Sequence, residues 1–234
     1  MSDHRYFAIV PAAGVGARMQ ADRPKQYLEC AGKTILEHAL SRLLSWPRLS
    51  KLVVALDPAD QYFSSLSCSE HAQLMTCEGG AERSDSVLSA LESLSSVAEA
   101  DDWILVHDAA RPCIRHTQLE KLASELGSCS VGGLLALPVS DTVKRAGDRG
   151  KVVQTLDRSM LWLAQTPQMF RYRLLLDAMR AVRDAGETIT DEASAIERAG
   201  MSPRLVVGSH SNIKVTHRQD LALAEHWLTS EEVQ

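Results

Sequence analysis

Tyr6-Phe7-Ala8-Ile9-Val10-Pro11-Ala12-Ala13-Gly14-Val15-Gly16-Ala17-Arg18-Met19 begins as an unbroken apolar run and passes at once into small residues and glycine. A short apolar run without polar alternation reads as a strand covered on both faces, which is what a parallel sheet between helices requires. Lys51–Leu56, Trp103–Val106 and Val131–Leu137 repeat the pattern. Between them, Ile35, Leu36, Ala39, Leu40, Leu43 and Leu44 recur at helical spacing, with Thr34 and Glu37 as a capping box. Ser84–Ser96 and Thr117–Leu126 read as further helices. The alternation predicts an α/β fold, with a mostly parallel sheet, right-handed crossovers and helices on both faces.

The chain of 234 residues is long enough to bury about 70–75% of its unfolded surface, and a single domain over 1–234 is expected. Its formal charge of −5 gives no broad basic field, so neither a nucleic-acid partner nor an anionic membrane surface is expected. No apolar run approaches the ~20 residues of a membrane span. Tyr6–Ala17 has the length of a leader's apolar core but contains Pro11, Gly14 and Gly16, which suits a strand entering a loop. Cysteines at 30, 68, 77, 113 and 129 are odd in number and form no CxxC pair. Reduced thiols and a cytoplasmic location are the expectation.

From Pro138 to Arg158 the rhythm breaks. Asp141, Lys144, Arg145, Asp148, Arg149, Lys151 and Asp157 surround Gly147 and Gly150, with only scattered valines and a leucine. The stretch reads as a projecting β-arm, too thinly apolar to be stable alone. A second subunit is the economical support for it, and an ordinary surface loop is the alternative.

The loop after Val10 suits phosphates, because small residues let backbone N–H groups approach an anion closely. It is not a dinucleotide fingerprint. Met19 stands where a third glycine would be, and the next capped helix waits until Thr34. Nor does a Gly-Lys-Ser/Thr sequence follow. What it does carry is Arg18, Arg23 and Lys25. At an effective dielectric of ~20, a cation ~4 Å from a developing unit charge contributes ~4 kcal/mol. Half of that is worth more than tenfold in rate. From the loop alone, solvated surface charge and phosphate chemistry both remain open.

Pro11-Ala-Ala-Gly-x-Gly-x-Arg-Met19 with Pro24-Lys-Gln26 resembles the 2-C-methyl-D-erythritol 4-phosphate cytidylyltransferase family. The likeness continues through Gly79-Gly80-x-Glu-Arg83 with Asp85-Ser86-Val87, Val106-His-Asp-Ala-Ala-Arg-Pro112 and Pro138-Val-x-Asp-Thr142. Asp157-Arg158, Gln165-Thr-Pro-Gln168, Thr188-Ile-Thr-Asp-Glu-Ala193 and Asn212-Ile-Lys-Val-Thr216 complete it. The resemblance implies a Rossmann-like nucleotidyltransferase fold. It implies transfer of CMP from CTP to methylerythritol phosphate with release of pyrophosphate, in non-mevalonate isoprenoid synthesis.

Carried over by that likeness, Arg18 and Lys25 would be the catalytic cations at the α-phosphate. Pro11, Ala12, Ala13, Gly14 and Gly16 would wrap the nucleotide, and Gly80, Ala81 and Ser86 would read cytosine. Family members can carry Asp at the place of Ala81, so contact there would be through backbone. Asp108, Arg111 and Lys214 would hold the polyol phosphate. Thr142 and Arg158, at the feet of the arm, would reach the active site of the other subunit in a homodimer. Read without the likeness, Gly79-Gly80 is a simple strand-to-helix turn and Asp108–Arg111 a turn-satisfying pair, while Lys214 serves equally as an edge lysine. Thr190 and Asp191 read as a helix cap.

No general base is needed, because the attacking phosphate oxygen is already anionic at neutral pH; His107 beside Asp108 reads as a core or turn histidine. Mg2+ is implied, arriving with the CTP phosphates rather than in a carboxylate cage. A ribitol 5-phosphate cytidylyltransferase and a non-catalytic nucleotide-binding module are the alternatives, whereas Met19 and the delayed helix disfavour a nucleotide-cofactor oxidoreductase.

Overall fold

The computed structural model describes residues 4–14 and 23–230. In chain order it runs β1 (Tyr6–Pro11), β2 (Glu29–Cys30), β3 (Lys33–Thr34), α1 (Ile35–Leu44), β4 (Leu49–Leu56), β5 (Leu74–Glu78), α2 (Arg83–Ser93) and β6 (Trp103–Val106). Then follow α3 (His116–Leu126), β7 (Gly132–Pro138), β8 (Val143–Ala146), β9 (Val152–Leu156) and β10 (Trp162–Arg171). The chain continues through α4 (Tyr172–Asp184), α5 (Glu192–Arg198), β11 (Arg204–Val207) and α6 (Gln219–Thr229).

Seven strands form one sheet in the order β11-β7-β10-β6-β1-β4-β5. Every pairing is parallel except those of β10, which runs antiparallel to both β6 and β7. Alternation along β1 sends Phe7 and Ile9 to one face and Ala8 and Val10 to the other, all buried. Leu36, Leu40 and Leu43 of α1 pack on the Ala8 and Val10 face together with Leu119, Leu122 and Leu126 of α3. The opposite face receives α2, α4 and α5 through Val87, Leu91, Leu175, Met179 and Ile196. Such side chains each contribute roughly 1.5–3 kcal/mol by burial, and the two layers explain why the strands are apolar without alternation.

At the start of α1, Thr34 Oγ1 accepts the Glu37 backbone N–H at 3.1 Å. The Glu37 carboxylate accepts the backbone N–H of Ser67 at 3.1 Å and also its hydroxyl.

Sequence patterning misses β10, because Gln165-Thr-Pro-Gln168 lies within an otherwise central strand. Pairing with β7 shifts register between Ala164 and Gln168, and this irregularity accommodates Pro167, which cannot donate a ladder hydrogen bond. Two side-chain amide donors are paired there instead. Asn212 Nδ2 donates to Thr166 O at 2.8 Å and Gln165 Nε2 to Ser209 O at 2.9 Å.

Between β7 and β10 the chain leaves the main sheet. β8 and β9 pair antiparallel with each other, Val143 opposite Leu156 and Arg145 opposite Gln154, as a separate two-stranded sheet. Arg149 and Gly150 turn the hairpin with positive φ values of 57° and 72°, a region that costs glycine little.

Candidate active site

Because β1, β4, β5 and β6 are parallel, the loops that leave them open on one edge of the sheet. β4 lies on one side of β1 and β6 on the other, so the strand order reverses there and creates the crevice where α/β folds bind ligands. A cleft open to solvent occupies this position. Pro11, Ala12, Ala13, Gly14, Gly80, Ala81, Ser86, Lys25, Asp108 and Lys214 all line it. An adjoining pocket is lined by Arg111 and again by Asp108 and Lys214. Gly16 and Arg18 lie outside the described residues. Thr142 and Arg158 are exposed near the arm and line neither space.

Gln26, buried, ties the first loop down by donating from Nε2 to Ala12 O at 2.7 Å and Gly14 O at 3.0 Å. The neighbouring Lys25 donates to Val215 O at 3.3 Å, joining parts of the chain 190 residues apart. At the second loop, a Cβ on Gly79 would come within 2.5 Å of Ala13 Cβ and 2.9 Å of Ser86 Oγ. Glycine is required there by close approach. Gly80 N–H donates to Ser86 Oγ at 3.1 Å and fixes the turn.

Asp108 gathers the cations. Its Oδ1 takes Arg83 Nε at 3.1 Å, and its Oδ2 takes Lys214 Nζ at 2.8 Å with Arg111 Nε at 3.7 Å. Burial pushes the Asp108 carboxyl upward, but Arg83 and Lys214 outweigh it and hold the group well below the usual carboxylate range. Arg111 is lowered by burial, against the opposing pull of Asp108. Its Nη1 donates to Asn212 O at 2.6 Å, and Val215 N–H donates to Ala110 O at 2.8 Å. The segment bearing Lys214 is thereby docked on the loop after β6.

His107, fully buried, fixes that loop from beneath. Nε2 lies 3.0 Å from Arg111 O and Nδ1 lies 3.1 Å from Thr166 Oγ1. A carbonyl only accepts, so Nε2 carries the proton and Nδ1 accepts from the Thr166 hydroxyl. The same hydroxyl oxygen accepts the Asp108 backbone N–H at 3.0 Å. Burial pushes the imidazole down to about 4, so it is neutral at physiological pH and no proton relay is built from it.

Arg83 and Gln26, both inside the quoted motifs, are not among the expected site residues. Arg83 lines both spaces and pairs with Glu192 as well as Asp108. Gln26 supports the first loop. The signal for both was their place inside the motifs, since neither has a spacing that identifies it alone.

Comparison with known proteins agrees with the geometry. The family model for 2-C-methyl-D-erythritol 4-phosphate cytidylyltransferase matches residues 6–230. A protein of that name from Vibrio vulnificus strain YJ016 is 53% identical over 224 residues, covering 96% of this chain and 94% of its own. One from Hahella chejuensis is 49% identical over 228 residues, covering 97% and 95%. The crystal structure of the Francisella tularensis 2-C-methyl-D-erythritol 4-phosphate cytidylyltransferase superposes with a TM-score of 0.83 at 36% identity, covering 95% of this chain and 99% of that one.

Proposed function

The chain belongs to the 2-C-methyl-D-erythritol 4-phosphate cytidylyltransferase family, and on that premise we propose that it transfers CMP from CTP to 2-C-methyl-D-erythritol 4-phosphate. The products are 4-diphosphocytidyl-2-C-methyl-D-erythritol and pyrophosphate, in non-mevalonate isoprenoid synthesis. One observation carries the reading: the small-residue loop Pro11–Gly14, the turn at Gly80 and Ser86, and the cations Lys25 and Lys214 line a single cleft.

The nucleotide lies along Pro11–Gly14, with its base against Gly80, Ala81 and Ser86. A phosphate oxygen of the polyol phosphate attacks the α-phosphorus in line. The new P–O bond forms as the bond to the β-phosphate bridging oxygen breaks, and pyrophosphate leaves with that electron pair. Lys25 faces the charge that develops at the α-phosphate, joined by Arg18 of the same loop. Fixed cations suit this step because they need no reorganisation as charge develops. Lys214 and Arg111 hold the incoming phosphate, and Asp108 holds Lys214 in place. No proton is removed from the nucleophile.

Among the described residues, no cluster of three His, Cys, Asp or Glu side chains could hold a metal, and Asp108 is already engaged by cations. Mg2+ would arrive with the triphosphate of CTP and offset its charge, alongside Lys25. Thr142 and Arg158 act on the polyol phosphate of a partner subunit in a homodimer, which gives the exposed arm something to lie against. Among the described residues, no helix is long and apolar enough to cross a membrane, and a cytoplasmic location follows from the small charged substrates.

Pyrophosphate release is measured from CTP and Mg2+ with methylerythritol 4-phosphate and ribitol 5-phosphate in parallel. Release with the first polyol only is the expected result. Release with ribitol 5-phosphate only overturns the substrate, and CTP binding without release from either overturns catalysis.

A further inference from the structure

Glu192 is wholly buried and has no part in the steps above. Its two oxygens take Arg83 Nη1 at 2.6 Å and Nη2 at 3.2 Å. The remaining Nε of that guanidinium donates to Asp108 at 3.1 Å. Arg83, the first residue of α2, keeps 30% of its side chain exposed and lines both the nucleotide cleft and the adjoining pocket. One cation thus borders both spaces while its three nitrogens are all spoken for.

The carboxylate that holds it is itself pinned. Gln168 of β10 accepts the Ala193 N–H at 2.7 Å and donates to Asp191 at 2.8 Å. Asp191 in turn accepts the Ser194 N–H at 3.0 Å. Gln168 thereby fastens the first turn of α5 to the sheet, and Glu192 has no freedom to follow Arg83 if it moves.

A guanidinium prefers a bidentate fork on a carboxylate or phosphate. Released from Glu192, Arg83 has two such forks within reach: Asp108, whose Oδ2 now takes Lys214 at 2.8 Å, and any phosphate that enters the adjoining pocket. Either would pull Asp108 and Lys214 out of register.

We infer that Glu192 is a positioning residue for the transfer proposed above: by occupying both Nη groups of Arg83 it limits that guanidinium to one bond with Asp108, leaving Asp108 to hold Lys214 against the incoming phosphate. The inference rests on that reaction.

Two variants separate position from charge. Glu192→Asp keeps the charge but is one methylene too short to span both Nη groups. Glu192→Gln keeps the length but not the charge. Both should raise the KM for the polyol phosphate by about tenfold or more, since small misplacements at a reacting centre are costly, with the KM for CTP within about twofold. Wild-type constants in Glu192→Asp, or equal rises for both substrates, would overturn the assignment. A readout independent of turnover is the pair of 15N-coupled Arg83 Nη–H signals, identified by their loss in Arg83→Lys. Both Nη groups should exchange slowly with solvent in the wild type and at least one rapidly in each variant, and slow exchange of both retained in the variants overturns the positioning role. A wild-type chain that releases no pyrophosphate with either polyol, by contrast, overturns the reaction itself.

Discussion

Asp108 in the cleft exposes 10% of its side chain and contacts three cations, whereas Val152 and Val153 on the arm are 62% and 61% exposed. The two regions are stabilised in different ways. Around the cleft, side chains from the loop after β6, from β10, α2 and α5 and from the 212–216 segment fix one another through hydrogen bonds, so one chain preorganises its own cations. The arm has a ladder between β8 and β9 but little burial to define its position, and Met160 beside it is 85% exposed. A two-stranded ribbon of that kind needs an external surface. On the proposed reading, nucleotide chemistry belongs to the cleft of one chain, and the arm acts in another.

The largest expected effect separates the two regions by kind. Lys25→Ala should lower kcat by about 10²–10³-fold, the usual cost of losing one group that stabilises developing charge. Its melting temperature should stay within a few degrees. An equally large loss of melting temperature would mean that Lys25 serves the fold.

Acid should loosen the cleft while sparing the arm. His107 sits at about 4 in the fold because of burial, against ~6.5 for an exposed imidazole. Between those values the unfolded chain binds the extra proton, so stability falls as pH falls through the window, by ~3 kcal/mol. Asp108, held below the carboxylate range by Arg83 and Lys214 against the upward push of burial, contributes stability above its unfolded value near 4. That contribution is lost as pH falls towards its folded value. Urea midpoints at pH 7.5 and 5 should differ accordingly, with the same slope in an Arg158→Ala variant. Identical midpoints would contradict the burial of a neutral His107.

Arg158→Ala should raise the KM for the polyol phosphate by about tenfold, the scale of one charge-assisted hydrogen bond. The KM for CTP and the melting temperature should be unchanged; a matched rise for CTP would place Arg158 at the nucleotide instead. The smallest effect belongs to the arm's apolar surface. Val153→Lys should change unfolding free energy by less than about 0.5 kcal/mol while weakening self-association in sedimentation experiments. Undiminished association would remove Val153 from the interface.

The sequence reads best where one physical demand dominates. β1 and β6 are covered on both faces, and their apolar runs say so directly. β10 is a central strand too, yet Gln165, Thr166 and Gln168 are buried there as hydrogen-bonding partners for Asn212, Ser209 and Asp191, so polarity disguises it. In the site, the glycine loop and Lys25 are legible locally. Asp108 and Lys214 are joined only by the fold, and Arg83 with Glu192 spans α2 and α5, a pairing that no local spacing encodes.

The most direct test of this division of labour mixes Lys25→Ala and Arg158→Ala chains after verified subunit exchange. At polyol phosphate well below its KM, where Arg158→Ala alone is about tenfold less active, a homodimer with sites shared between chains should regain about a quarter of wild-type activity, because half the dimers are mixed and each mixed dimer has one intact site. No recovery, with exchange confirmed, would contradict the shared site and place Arg158 in the cleft of its own chain.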